Sequence, residues 1–167
     1  MSLKLYVAGP LFTPYHRAFH ARNAARLRHE GFICLVPHER SVARAFTADT
    51  GTPTTSIDIF DQDYDMVEEA DAIVALLDDS DISSGLGCEI GIFWSMLQFD
   101  ARKKGVLGLL TDDRAYRRAA AGVPAVNAFT LGCVLDVGCV YRSLDGIIAH
   151  LKGWTEGREM PRGEMFS

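Results

Sequence analysis

A chain of 167 residues, 48% hydrophobic and 23% charged, has room for one domain with a substantial core and little for a second. Its formal charge of −5 argues against a nucleic-acid polymer as partner, which would ask for a basic face, but leaves nucleosides and nucleotides open. No apolar run approaches the roughly 20 residues of a membrane span, and the N-terminus lacks the basic-then-apolar pattern of a secretory signal.

Leu3 to Ala8 is a short apolar run closed by Gly9-Pro10 and reads as a buried strand. Tyr15 to Glu30, rich in Ala, Arg and Leu, reads as a helix, with Gly31 where its C-terminal cap belongs. Phe32 to Val36 is a second strand, stopped by Pro37. From His38 to Thr55 no period holds, and the stretch reads as a long loop of the kind that often carries function. Ser56 or Asp58 caps a helix running to about Glu69, and Asp71 opens the strand Ala72 to Leu77. Asp78 to Gly87 is a polar loop rich in Gly and Ser. Cys88 to Phe99 is apolar on almost every side, the mark of a helix buried against both the sheet and a partner. Val106 to Leu110 is a fourth strand, Asp113 to Ala120 a short helix, Val126 to Phe129 a fifth strand and Ser143 to Lys152 a last helix. Residues 1–155 thus form the domain, and 156–167 a polar C-terminal tail.

Strands alternating with helices predict an α/β fold: a single-domain three-layer α/β/α sandwich with a mostly parallel five-stranded sheet, flavodoxin-like or Rossmann-like. Ligands of such sheets bind outside the carboxyl ends of the strands. Three segments qualify: Gly9-Pro10-Leu11-Phe12, the loop after strand two, and Asp78–Gly87.

The third is the most informative. Gly85 and Gly87 let a ligand approach the backbone, and a helix start presents free N–H groups. Glu89 follows at once, where a carboxylate either complements the helix dipole or does chemistry. Asp63 belongs to an acidic run, Asp61 to Asp71, whose ordinary reading is a solvated helix face. If the helix before strand three starts at the sheet's carboxyl edge, Asp63 and Glu89 share a cleft. Two carboxyl groups in one cleft suit glycosidic cleavage, one attacking the anomeric carbon and the other handling a proton.

Other signals are weaker. Cys34, Cys88, Cys133 and Cys139 lack CxxC spacing and read as reduced thiols of a cytoplasmic protein rather than disulfides or metal ligands. His16 and His20 stand four apart on the first helix without a third ligand in the sequence, and His38 is a lone loop histidine, so no metal site is expected. Arg114, Arg117 and Arg118 read as a solvated helix face.

Four pieces, in order and spacing, resemble the nucleoside 2-deoxyribosyltransferase family over about residues 4–150. They are Leu5-Tyr6-Val7-Ala8-Gly9-Pro10-Leu11-Phe12; Gln62-Asp63 with Ala70-Asp71-Ala72-Ile73-Val74-Ala75; Gly85-Leu86-Gly87-Cys88-Glu89-Ile90-Gly91; and Val126-Asn127-Ala128-Phe129. The resemblance implies that Glu89 is the nucleophile, that Tyr6 holds its carboxylate, and that Asp63 sits near the base. It further implies substrate-binding roles for Gly9, Phe12, Ser83, Gly85 and Asn127. Phe12 would pack on the substrate, and Asn127 would reach the neighbouring subunit's sugar hydroxyl, hence at least a homodimer. Attack by Glu89 on C1' through an oxocarbenium-like state, protonation of the leaving base by Asp63 and capture by a second base would give transfer with retention. No metal or organic cofactor is required.

One position departs from the family's pattern. Many such transferases carry Asp six residues before the nucleophile, at the sugar's 5' side, where this chain has Ser83 unless Asp81 takes that place. Related hydrolases of nucleoside 5'-monophosphates have Ser there, and a serine donates to a phosphate that a carboxylate repels. The sequence therefore predicts an N-deoxyribosyltransferase acting on a nucleoside and a nucleobase. The alternatives are a 5'-monophosphate N-glycosidase with water as acceptor and a non-catalytic nucleotide-binding module on the same fold.

Overall fold

Strand β1 (Lys4–Ala8) has almost no exposed side chain, and it lies between β2 (Ile33–Leu35) and β3 (Ala72–Leu76) with both pairings parallel. The computed structural model describes residues 2–39, 55–78 and 82–166, so most of the expected 38–55 loop, and Asp81, lie outside the described residues. The sheet continues through β4 (Gly105–Leu109), β5 (Cys139–Tyr141) and β6 (Met165–Phe166) in the order β2-β1-β3-β4-β5-β6, every ladder parallel. Strand order reverses between β1 and β3, which puts the crevice of a doubly wound sheet at their carboxyl ends.

Alternation along β1 divides the core in two. Leu5 and Val7 face α1 (Pro14–His29) and α6 (Leu144–Thr155), meeting Ala24, Leu27, Ile147 and Leu151. Tyr6 and Ala8 face the other way, toward Met66 and Val67 of α2 (Ser56–Glu69), Ile90 and Phe93 of α3 (Ser84–Leu97) and Val134 of α5 (Ala128–Val137). The short α4 (Asp113–Ala120) adds Ala115 to this second core. The three-layer architecture is the expected one.

Three details differ from the sequence reading. The sheet has six strands rather than five. Val126–Phe129 is not a strand: the Asn127 side chain accepts from the N–H groups of Phe129 and Thr130 and caps α5, an N-cap that outweighs four residues of apolar preference. The fifth strand is Cys139–Tyr141 instead, and the sixth comes from the stretch taken as a polar tail. Thr55, not Ser56 or Asp58, caps α2; Asp58 completes a reciprocal capping box with it.

The end of α2 is closed from a distance. Lys103 is 7% exposed, and its ammonium donates to the carbonyls of Val67, Glu68 and Ala70 at 2.9–3.1 Å. It also lies 4.7 Å from the centre of the Phe93 ring. One buried cation thereby satisfies the C-terminal carbonyls that a helix leaves unpaired.

Candidate active site

The helix carrying Glu89 begins earlier than the sequence suggests. Ser83 accepts from the N–H of Leu86 and sets α3 going at Ser84, so Gly85 and Gly87 lie inside the helix, not in a loop. Glu89 is consequently beyond the first turn, which holds no acidic residue. The dipole explanation loses its ground, because that effect fades within the first turn.

Glu89 instead turns toward the sheet. The Tyr6 hydroxyl donates to Glu89 Oε1 at 2.9 Å, joining β1 to α3. Tyr6 is fully buried, and burial, with the charges of Glu89 and Asp63 next in weight, pushes its phenol far above the usual range. Burial lifts the Glu89 carboxyl to about 7; the Tyr6 bond pulls it down, and the charge of Asp63 pushes it up again. Asp63 is half-buried on α2, accepts from Gln62 Nε2 at 3.2 Å, and is itself raised by burial. Tyr6, Glu89 and Asp63 are thus one electrostatic unit on the α2–α3 side of the sheet.

The remaining predicted residues fall around this unit in different ways. A Cβ on Gly85 would meet nothing within 4 Å, so no packing demand within the described residues explains that glycine. Gly9 has a positive φ of 150°, and a Cβ there would stand 2.7 Å from His20 Nε2 and 2.8 Å from Leu76 Cβ. Its own fold therefore requires glycine at that turn. Phe12 is 89% exposed beyond β1, and Asn127 is exposed with its side-chain oxygen engaged in the α5 cap. Ser83 likewise spends its oxygen as an acceptor in the α3 cap, although its hydroxyl proton can still be donated.

Two residues escaped the sequence reading. Gln62 bonds Asp63, and its own Oε1 is buried without a partner among the described residues. His20, weighed in the sequence only as half of a metal-ligand pair, is 1% exposed with both ring nitrogens unpartnered among the described residues. His38 comes within 6.4 Å of it, ring to ring, yet no three His, Cys, Asp or Glu side chains among the described residues are arranged to hold a metal. Arg114 pairs with Asp112 and Arg118 donates to the Ala125 carbonyl.

Two half-buried carboxyl groups and a buried tyrosine on one side of a doubly wound parallel sheet form a candidate small-molecule site. The chain belongs to the nucleoside 2-deoxyribosyltransferase family, which it matches over residues 5–155. Among solved structures it is similar to a conserved protein from Enterococcus faecalis V583, at 24% identity and a TM-score of 0.76, with 92% of this chain and 99% of that one covered. It is also similar to the 2-deoxyribosyltransferase of the psychrotolerant bacterium Bacillus psychrosaccharolyticus, at 16% identity and a TM-score of 0.61, covering 87% and 90%. Likeness at these identities carries the fold alone. No individually curated protein matches the chain. No helix among the described residues is long and apolar enough to cross a membrane.

Proposed function

We propose that this protein is an N-deoxyribosyltransferase that cleaves a 2'-deoxynucleoside through a covalent glycosyl-Glu89 intermediate and passes the sugar to another nucleobase. The observation that carries the proposal is the 2.9 Å bond from Tyr6 to Glu89 within range of the Asp63 charge. One Glu89 oxygen is oriented by a neutral phenol, and the other is left to attack C1'. A carboxyl near 7 keeps a large ionised fraction at neutral pH while remaining a competent leaving group in the second step. Asp63, whose protonated form burial favours, donates to the departing base and recovers the proton from the incoming one. The anomeric carbon is inverted twice, so configuration is retained. A 2'-deoxy sugar lacks the electron-withdrawing hydroxyl that would destabilise the intervening cation. By the family resemblance Phe12 packs on the substrate and Asn127 serves the site of a neighbouring copy in a homodimer.

Incubation with one deoxynucleoside and a different free base should yield the new deoxynucleoside, with activity abolished in Glu89→Ala. A Glu89→Ala protein of full activity would remove the mechanism. Ser83 favours the second reading, hydrolysis of deoxynucleoside 5'-monophosphates, because a capping hydroxyl can also donate to phosphate. Ser83→Asp separates the two. Aspartate keeps the cap, so transfer between nucleosides persists, whereas cleavage of a monophosphate should fall at least about tenfold through charge repulsion. Free base and deoxyribose 5-phosphate formed only from monophosphates would replace the first reading by the second.

A further inference from the structure

We propose that His20 is a positioning residue for the Gly9–Phe12 segment, supporting it from the face of the sheet opposite the carboxylates and thereby setting how tightly substrate is held. Helix α1 packs on the Leu5–Val7 side of β1, whereas Tyr6 and Glu89 lie on the other. From there His20 reaches up against the turn: its Nε2 and Cε1 would stand 2.7 and 2.8 Å from a Cβ at Gly9, an approach that only glycine permits. The same helix grips the segment at two further points. Arg17 Nη1 donates to the Leu11 carbonyl at 2.8 Å, and Thr13, the residue after the segment, caps α1. The turn that presents Phe12 is therefore built on α1, with His20 its innermost support.

The chemistry of the ring argues that its purpose is not stability. His20 is 1% exposed, and neither nitrogen has a partner among the described residues. A buried polar group left unpaired costs free energy that an apolar side chain of similar size would not. Burial, then the neighbouring His38 and His16, drives its pKa to about 4, so the ring is neutral wherever Glu89 is ionised. A flat, neutral ring edge fits under a backbone turn where a branched aliphatic group would push Gly9 upward. The positioning role rests on the glycosyl-transferring reading only for its kinetic arm.

The test compares His20→Leu, His20→Gln and Gly9→Ala with the parent protein. His20→Leu removes two unpaired nitrogens but cannot lie flat under the turn, so the two effects offset and its thermal midpoint should stay close to the parent's. Its amide hydrogen exchange across residues 9–13 should nevertheless quicken about tenfold, and its KM for deoxynucleoside should rise about tenfold with kcat within about threefold. His20→Gln, which keeps a flat, neutral end near the position of Nε2, should recover most of both effects. Gly9→Ala attacks the contact from the other side and should reproduce the exchange change. The double variant Gly9→Ala/His20→Leu should lose no more than Gly9→Ala, which already breaks the His20 contact in addition to meeting Leu76 Cβ. Unchanged exchange in His20→Leu, or additive losses in the double variant, would overturn the assignment. If the parent protein turns over no deoxynucleoside or monophosphate, the functional reading fails, while the exchange arm still judges His20.

Discussion

Replacing Tyr6 by Phe isolates the bond on which the site is built. The ring stays in its buried slot and only the hydroxyl that donates to Glu89 at 2.9 Å is lost. A hydrogen bond to a charged group contributes about 1.5–3 kcal/mol. At about 1.4 kcal/mol per pKa unit this is a preference of about one to two units for the ionised carboxyl, so losing it should lower the rate about 10- to 100-fold at pH 6, where the ionised fraction limits the reaction. The bond also holds the Glu89 carboxyl down against burial, so its removal raises a pKa already near 7. In the proposed mechanism ionised Glu89 is the attacking form, so activity should rise with pH through that value. The acid limb of the pH–rate profile should therefore move upward by about one to two pH units in Tyr6→Phe. The deficit should be smallest at pH 9 and roughly tenfold larger at pH 6. The assay is single-turnover cleavage of a deoxynucleoside across that range, which reports the glycosylation step alone. A Tyr6→Phe enzyme with the parent limb and rate would refute the reasoning, since it would mean that the bond neither orients nor tunes Glu89.

Asp63→Asn should move the same limb the other way, toward lower pH, because the Asp63 charge contributes to the raised Glu89 pKa; base release should slow as the proposed proton donor disappears. Glu89→Gln should stabilise the fold. A carboxyl held near 7 when folded and ionising near 4.5 when unfolded costs stability as pH rises between those values, by at most about 3 kcal/mol above both. Its melting temperature should exceed the parent's by several degrees at pH 8 and match it at pH 4. Lys103→Met should lower stability by about 2–4 kcal/mol in urea titration, since three carbonyls at the end of α2 lose one buried donor. An unchanged midpoint would show that water satisfies those carbonyls equally well.

The elements that the sequence predicts best are those with chemical punctuation at their ends. Gly9-Pro10 closes β1, Gly31 follows α1, and Asp113–Ala120 is recovered residue for residue. The failures are local contests that one-dimensional patterns do not weigh. Asn127 stands among apolar residues that suit a strand, yet its side chain organises a helix. The three-residue β5 and two-residue β6 are too short to show a period and form only because β4 offers an edge to β5, and β5 one to β6. Glycines at 85 and 87 read as loop, but the Ser83 cap extends α3 back across them. At the site, Glu89 and Asp63 were legible as candidates and Tyr6 only through resemblance. Gln62 and His20 matter through neighbours that no spacing announces, a carboxylate next door and a glycine in the turn after β1.

The bond between Tyr6 and Glu89 closes a loop of 83 residues in sequence. Before it can form, β1 must find β3 and the chain must pass through two helices and the intervening strand. Contacts of such separation are late and entropically costly. The Tyr6–Glu89 pair is therefore also a clock for assembly. During refolding, helical signal should return before turnover, and the first active molecules should be those in which the centre of the sheet has closed.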